Sequence, residues 1–145
     1  MDLVLRELTL DDLPILFEHQ RDPVANDMAV FAARDWDAFV ANDAKIRTDP
    51  TLIRRTVVVD DEVVGSIGCF GDEQRAVGYW FDRAVWGRGI ATAALAAFLD
   101  VVTERPLFAH VAATNVASAK VLERCGFVEV RRETTDVEEI VYRLA

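Results

Sequence analysis

Between residues 84 and 95 the chain reads AVWGRGIATAAL, two glycines around an arginine that run directly into an alanine-rich helical pattern. The residues before it, GDEQRAVGYWFD, read as a turn and a strand ending near Asp82. After it, Leu95, Phe98, Leu99 and Val102 complete an amphipathic repeat that starts at Ile90. A strand must therefore become a helix across Gly87-Arg88-Gly89-Ile90-Ala91. A helix start leaves N–H groups without intrahelical partners and carries the positive end of the peptide dipoles. Glycine lets such a backbone turn tightly and approach a ligand closely. Together these make an anion cradle, with phosphate the usual guest. Arg88, and Arg83 just before it, would add charge-assisted contacts. A purely structural strand-to-helix turn uses the same residue types, so the stretch alone carries both readings.

Neighbouring residues narrow the choice. A P-loop needs Lys-Ser/Thr after its last glycine, and Ile90-Ala91 stand there instead. A dinucleotide fingerprint is poorly matched by Thr92 and Ala93, and the preceding strand comes from hairpins, not from a βαβ unit.

The rest of the chain supplies the frame. Residues 3–8 read as a strand, and Thr9 and Asp11 as caps for a helix over DDLPILFEHQ, with Pro14 early enough to be tolerated. Residues 22–34 read as irregular. RDWDAFVANDAKI predicts a second helix, closed by Pro50. TVVVDDEVVGSIGCF is a hairpin around an acidic turn, and LFAHVAA after Pro106 is a strand. NVASAKVLERCGF is a helix with Gly126 at C′, and the tail FVEVRRETTDVEEIVYRLA is a hairpin turning near Thr135–Asp136. The order β-α-α-β-β-β-α-β-α-β-β implies an α+β fold, a mixed sheet with helices on its faces.

Composition sets the outer bounds. A chain of 145 residues with 52% hydrophobic and 28% charged side chains fits one globular domain, residues 1–145. No apolar run approaches the ~20 residues of a membrane span, and the N-terminus lacks a signal pattern, which points to a cytoplasmic protein. Cys69 and Cys125 have no paired spacing, so neither a disulfide framework nor a zinc site is expected. The net charge of −9 argues against nucleic acid as a partner. Residues 1–50 hold five basic and eleven acidic side chains, which favours a cationic partner there or is a solvated acidic surface.

Three stretches carry a family resemblance: LRELTLDDLPILFE, GYWFDRAVWGRGIATAAL and NVASAKVLERCGF. They resemble GNAT-fold N-acetyltransferases, nearest the ribosomal-protein N-terminal acetyltransferase (RimJ/RimL) branch. The resemblance implies acetyl-coenzyme A as co-substrate, no metal, and acetyl transfer to a primary amine by direct attack on the thioester. It implies that Trp86, Gly87, Arg88, Gly89, Ile90, Ala91 and Thr92 hold the pyrophosphate. The strand edge at Trp80 and Phe81 would pair with the pantetheine amides, which requires that strand to splay from Leu107–Ala113. Asn115 would lie where the gap is bridged.

The same resemblance sets the chemistry. Many members place an acidic tyrosine where this chain has Leu122. Ser118, three residues after Asn115, matches the serine of the nearer branch, as the group that hydrogen-bonds the coenzyme sulfur or as a small packing residue. The branch's glutamate positions hold Ala76 and Arg83. Asp82, Glu73 and Asp72 are the carboxylates at hand, Asp82 and Glu73 entering the catalytic set with Ser118. His19 and His110 read as surface or supporting residues. The acceptor, a small-molecule or peptide amine, is expected against the first two helices and residues 20–40, with Phe31 and Trp36 as walls or as core. A homodimer through the final hairpin fits the family. A coenzyme A-binding regulatory domain without turnover is the alternative, because both the tyrosine and the glutamate are missing.

Overall fold

The computed structural model describes residues 1–145. Strands β1 (Leu3–Glu7), β2 (Ile53–Val59), β3 (Glu62–Phe70), β4 (Ala76–Phe81), β5 (Leu107–Ala112), β6 (Val128–Thr134) and β7 (Glu138–Leu144) form one sheet in the order β1-β2-β3-β4-β5-β7-β6. All neighbours are antiparallel except β4 and β5. The β2–β3 hairpin turns on Asp60 and Asp61, whose φ values of 49° and 69° both lie in the left-handed region. That is the two-residue turn whose twist suits paired strands, and aspartate is among the few residues other than glycine that tolerate it.

Helix α1 (Leu13–His19) follows a 3-10 turn at Leu10–Asp12; then come α2 (Pro23–Ala29), α3 (Trp36–Ile46), α4 (Ile90–Val101) and α5 (Val116–Arg124). No helix is long and apolar enough to cross a membrane. The expected architecture holds, with one added element: residues 22–34 are not irregular but contain α2. Asp22 accepts from Val24 N–H at 3.1 Å, Pro23 occupies the first turn, and Val30 closes the helix at φ 53°. Local capping makes this helix, which buries only Ala25 and so leaves no apolar periodicity to read.

The main core lies between the sheet and the α4/α5 layer, where Ile67, Val77, Phe81, Ile90, Leu95, Phe98, Leu107 and Leu122 pack together. A smaller cluster of Leu13, Leu16 and Phe39, with Phe17 and Leu8, holds α1 and α3 to the other face. Trp36 stays exposed at the edge of this second cluster, 5.3 Å from the Phe17 ring. A buried ionic node ties the N-terminus to that face. Asp12 accepts from Arg6 at 2.7 and 2.8 Å, from Thr9 N–H at 2.9 Å and from Thr56 Oγ1 at 2.8 Å. These donors, the Arg6 guanidinium first, hold the Asp12 carboxyl far below the usual carboxylate range.

Candidate active site

The sheet parts in its middle. β4 and β5 share one registered pair, Ala76 with Phe108, backed by Phe108 N–H donating to Arg75 O at 2.8 Å. Beyond that pin the two strands diverge, while β4 stays paired with β3 and β5 with β7 along their lengths. The expected splay is thus present, and its open end lies toward Phe81.

Backbone parity decides which groups face the gap. Asp82 N–H donates to Val64 O at 2.8 Å, so the even-numbered residues of β4 point their polar backbone at β3. Val77, Tyr79 and Phe81 therefore present theirs to the gap. Of the pair read from sequence, Phe81 is placed to offer its amide to an extended ligand. Trp80 is not: its backbone faces β3, its indole N–H donates to His19 O at 2.9 Å, and its ring packs on Phe31 at 5.0 Å. Trp80 and Phe31 fasten the α1–α3 segment to the sheet.

At the gap's open end stands the glycine turn. Gly87 and Gly89 have φ of +77° and +76°, which a Cβ would strain, and a Cβ on either would meet nothing within 4 Å. Gly89 is the N-cap of α4 without a side-chain cap, and Ala93 N–H is the first amide bonded back, to Gly89 O at 3.1 Å. The N–H groups of Ile90, Ala91 and Thr92 precede that bond. Trp86, Gly87, Gly89, Ile90, Ala91 and Thr92 line one mouth of a cavity of about 670 Å³. Arg88 is exposed and forms no ion pair, but Arg83 turns away to Asp22 at 2.9 Å, so its expected contact with an anion is not made. Lys120 and Arg124, four residues apart on α5 and likewise unpaired, stand on the same cavity. Their i, i+4 spacing is the only signal of this pair in the sequence.

The gap's far side is α5. Asn115 caps it, its Oδ1 accepting from Ser118 N–H at 3.2 Å. Ser118 Oγ lies 2.8 Å from Tyr79 Oη, and both residues line the cavity. Burial pushes the Tyr79 phenol up to about 12, so it stays protonated at neutral pH. Leu122 is 1% exposed and packs in the main core, where it also lines the cavity with an aliphatic side chain that has no proton to give. Tyr79, inside the GYWF stretch, is a residue the sequence reading did not single out.

The acids are distributed differently from expectation. Glu73 and Asp72 are exposed in the turn before β4, at the pinned end of the gap, and neither lines the cavity. Asp82 caps the turn after β4 through Ala84 N–H at 3.0 Å, and its other oxygen is 3.7 Å from His19 Nε2. It borders a shallow charged depression with Glu18, Arg21, Asp22 and Arg83, not the gap. Burial pushes the His19 imidazole below its ordinary range, with Asp82 opposing. The one carboxylate on the cavity is Glu139 of β7. Its register partner is Ala112, and His110 pairs with Val141 two steps along, so His110 and Glu139 share the sheet face covered by α2.

On that same face Gly78 has nothing within 4 Å of a would-be Cβ. It floors a second cavity of about 220 Å³ walled by Gln20, Asn42, Asp43, Arg54 and Ser66. Gly78 and Tyr79 border both cavities, so β4 alone separates them.

Solved structures share this architecture. An acetyltransferase from Thermus thermophilus superposes with a TM-score of 0.84 at 19% identity, over 99% of this chain and 97% of that one. A spermidine N-acetyltransferase from Vibrio cholerae in complex with CoA and spermine gives 0.79 at 18%, over 97% and 92%. An aminoglycoside acetyltransferase in complex with coenzyme A gives 0.81 at 17%, over 98% and 93%. A search of curated protein sequences finds no significant match. Residues 2–128 match the acetyltransferase (GNAT) domain family, and a parted sheet with a glycine-led helix beside it is the form that match takes here: the chain belongs to that family.

Proposed function

We propose that this chain is an acetyl-coenzyme A-dependent N-acetyltransferase of the RimJ/RimL type, acting as a single domain on a small-molecule or peptide primary amine. One observation carries the reading. The gap between β4 and β5 runs from the glycine cradle to the Ser118 hydroxyl, with strand amides along one wall. The residues present fit the coenzyme. Backbone N–H groups at Gly87 to Thr92 take its diphosphate, with Arg88, Lys120 and Arg124 as the cationic rim. Tyr79 and Phe81 offer backbone partners to the pantetheine amides. The bound coenzyme supplies an activated acetyl group.

Ser118 donates a hydrogen bond to the sulfur and so eases its departure as thiolate. The acceptor enters from the α2 face, where the second cavity over Gly78 holds its tail. There His110 and Glu139 receive the proton the amine must lose, directly or through water, in preference to Asp82 and Glu73, which do not line the cavity. Orientation in the gap contributes much of the remaining rate.

The missing tyrosine at Leu122 favours a second reading, a coenzyme A-binding domain without turnover. Calorimetry with acetyl-coenzyme A, followed by thiol release over peptides, polyamines and aminoglycosides, separates the two. Tight binding with release for at least one amine supports the enzyme. Binding without release across the panel overturns it in favour of the silent domain.

A further inference from the structure

We propose that Tyr79 is a positioning residue for acetyl transfer, its phenol holding the Ser118 hydroxyl so that the serine proton is aimed at the coenzyme sulfur. The inference rests on the acetyltransferase reading above and extends it to a side chain on the opposite wall of the gap. A serine inside a helix either points to solvent or turns its hydroxyl back to a carbonyl one turn earlier, where its proton is spent. Ser118 does neither. Its Oγ has one partner in the structure, Tyr79 Oη at 2.8 Å, and the phenol also lies 3.3 Å from Ser118 O.

A phenol has one proton to give. Both of its neighbours belong to Ser118, so that proton goes to the serine oxygen or to the carbonyl beside it. When it goes to Oγ, the serine keeps its own proton for the cavity. Asn115 fixes the same turn from its other end, through Ser118 N–H. Ser118 is thus held at backbone and side chain together, on the strand wall and the helix wall of the gap. Leu122 explains the need, because the cavity wall at that position carries a leucine, which has no proton to offer the sulfur. The proton stays on Tyr79 throughout, since burial keeps the phenol neutral, and no net transfer from it is required.

The test needs no acceptor. Coenzyme A is bound to the protein and the ionisation of its thiol is followed by thiolate absorbance against pH. Burial pushes both Cys69 and Cys125 up, and the same titration without coenzyme is subtracted to remove their contribution. A hydrogen bond to the thiolate lowers the ionisation by about one pH unit, a tenfold effect. We expect that difference between the native protein and Tyr79→Phe, the same difference for Ser118→Ala, and no further change in the double variant. With an accepted amine, kcat falls about tenfold in each while KM for acetyl-coenzyme A holds. Ser118→Ala cuts the contact from the helix side, so the comparison stands even where Tyr79→Phe loosens the fold. A thiol that ionises alike in native protein and Tyr79→Phe overturns the proposal, as does a shift in Ser118→Ala alone. Failure of the native protein to bind coenzyme A at all overturns the acetyltransferase reading itself, which is a different result.

Discussion

Gly89→Ala isolates the ligand role of the glycine turn from its backbone role. At φ +76° an alanine costs about 1–2 kcal/mol, partly offset by about 0.4–1 kcal/mol from the stiffer unfolded chain. The net loss is about 1 kcal/mol, roughly 4 °C in Tm for a chain of this size. Nothing within 4 Å resists the new Cβ, so the free protein folds as before. The methyl instead occupies the space where a diphosphate would meet the head of α4. Displacing it weakens two or more hydrogen bonds to charged oxygens, at about 1.5 kcal/mol each, hence a roughly hundredfold loss in Kd for coenzyme A. Thermal unfolding with and without coenzyme reads both numbers together. A concentration of about 1,000 Kd stabilises the native protein by about 4 kcal/mol, and the variant by about 1.4 kcal/mol. Gly126→Ala is the control: its φ of +92° imposes a like strain, its Cβ meets only Leu144 Cδ1 at 3.4 Å, and it lies outside the cavity. The two variants should lose similar stability, and only Gly89→Ala should lose coenzyme. Binding by Gly89→Ala within threefold of native, or equal weakening in Gly126→Ala, would refute the reasoning.

Three other perturbations address the rest of the site and its support. Gly78→Val fills the open space on the α2 face with a good strand former; acceptor KM should rise at least tenfold while calorimetry shows unchanged coenzyme binding, and the reverse pattern would move the acceptor elsewhere. Gly65→Ala drives a Cβ into Trp80 O and within 2.6 Å of Phe81 Cδ1; β4 must shift, at a cost of about 2 kcal/mol or more by urea midpoint, and coenzyme affinity falls with it. Asp12 titrates lower in the folded chain than in the unfolded one, so its node stabilises above pH ~4 and is lost as pH falls through the folded value. Asp12→Asn should cost about 2–4 kcal/mol at neutral pH and flatten the acid limb of the stability profile.

What was legible in the chain was mostly local. The two-residue acidic turn, the glycine-led helix and Gly126 closing α5 each depend on a few adjacent residues, and each stands where those residues put it. The parts that misled depend on partners far along the chain. Nothing near Trp80 says that its backbone serves β3 and its indole serves α1; the register with Gly65 and Ser66 decides that. Arg83 looked like a phosphate ligand until Asp22, on a helix without periodicity, claimed it. Glu73 is near the site in sequence, yet the pin at Ala76 and Phe108 closes the gap at its end and opens it at the other. Glu139 reaches the cavity through the β5–β7 pairing, which joins residues from opposite ends of the helical half.

The parted sheet itself argues for an elongated, amide-bearing ligand over a compact one. A strand in the middle of a seven-stranded sheet ordinarily spends every backbone polar group on its two neighbours. Here β4 spends one edge on β3 and leaves Tyr79 and Phe81 facing a cleft whose lining is mainly apolar, where unpaired amides are costly. A phosphate alone would satisfy the helix head and leave that edge bare. A nucleotide with a short sugar arm would do the same, since the gap continues past the glycines to Asn115 and Ser118. Strand-like pairing needs a chain with its own amides, an anion at one end and a group worth presenting to a hydroxyl at the other. Pantetheine between a diphosphate and a thioester has all three in that order, so inorganic pyrophosphate alone and pantetheine alone should each protect the fold less than coenzyme A. Equal protection by pyrophosphate and coenzyme A would mean that the gap is only a structural seam, and that the glycine turn binds its anion without it.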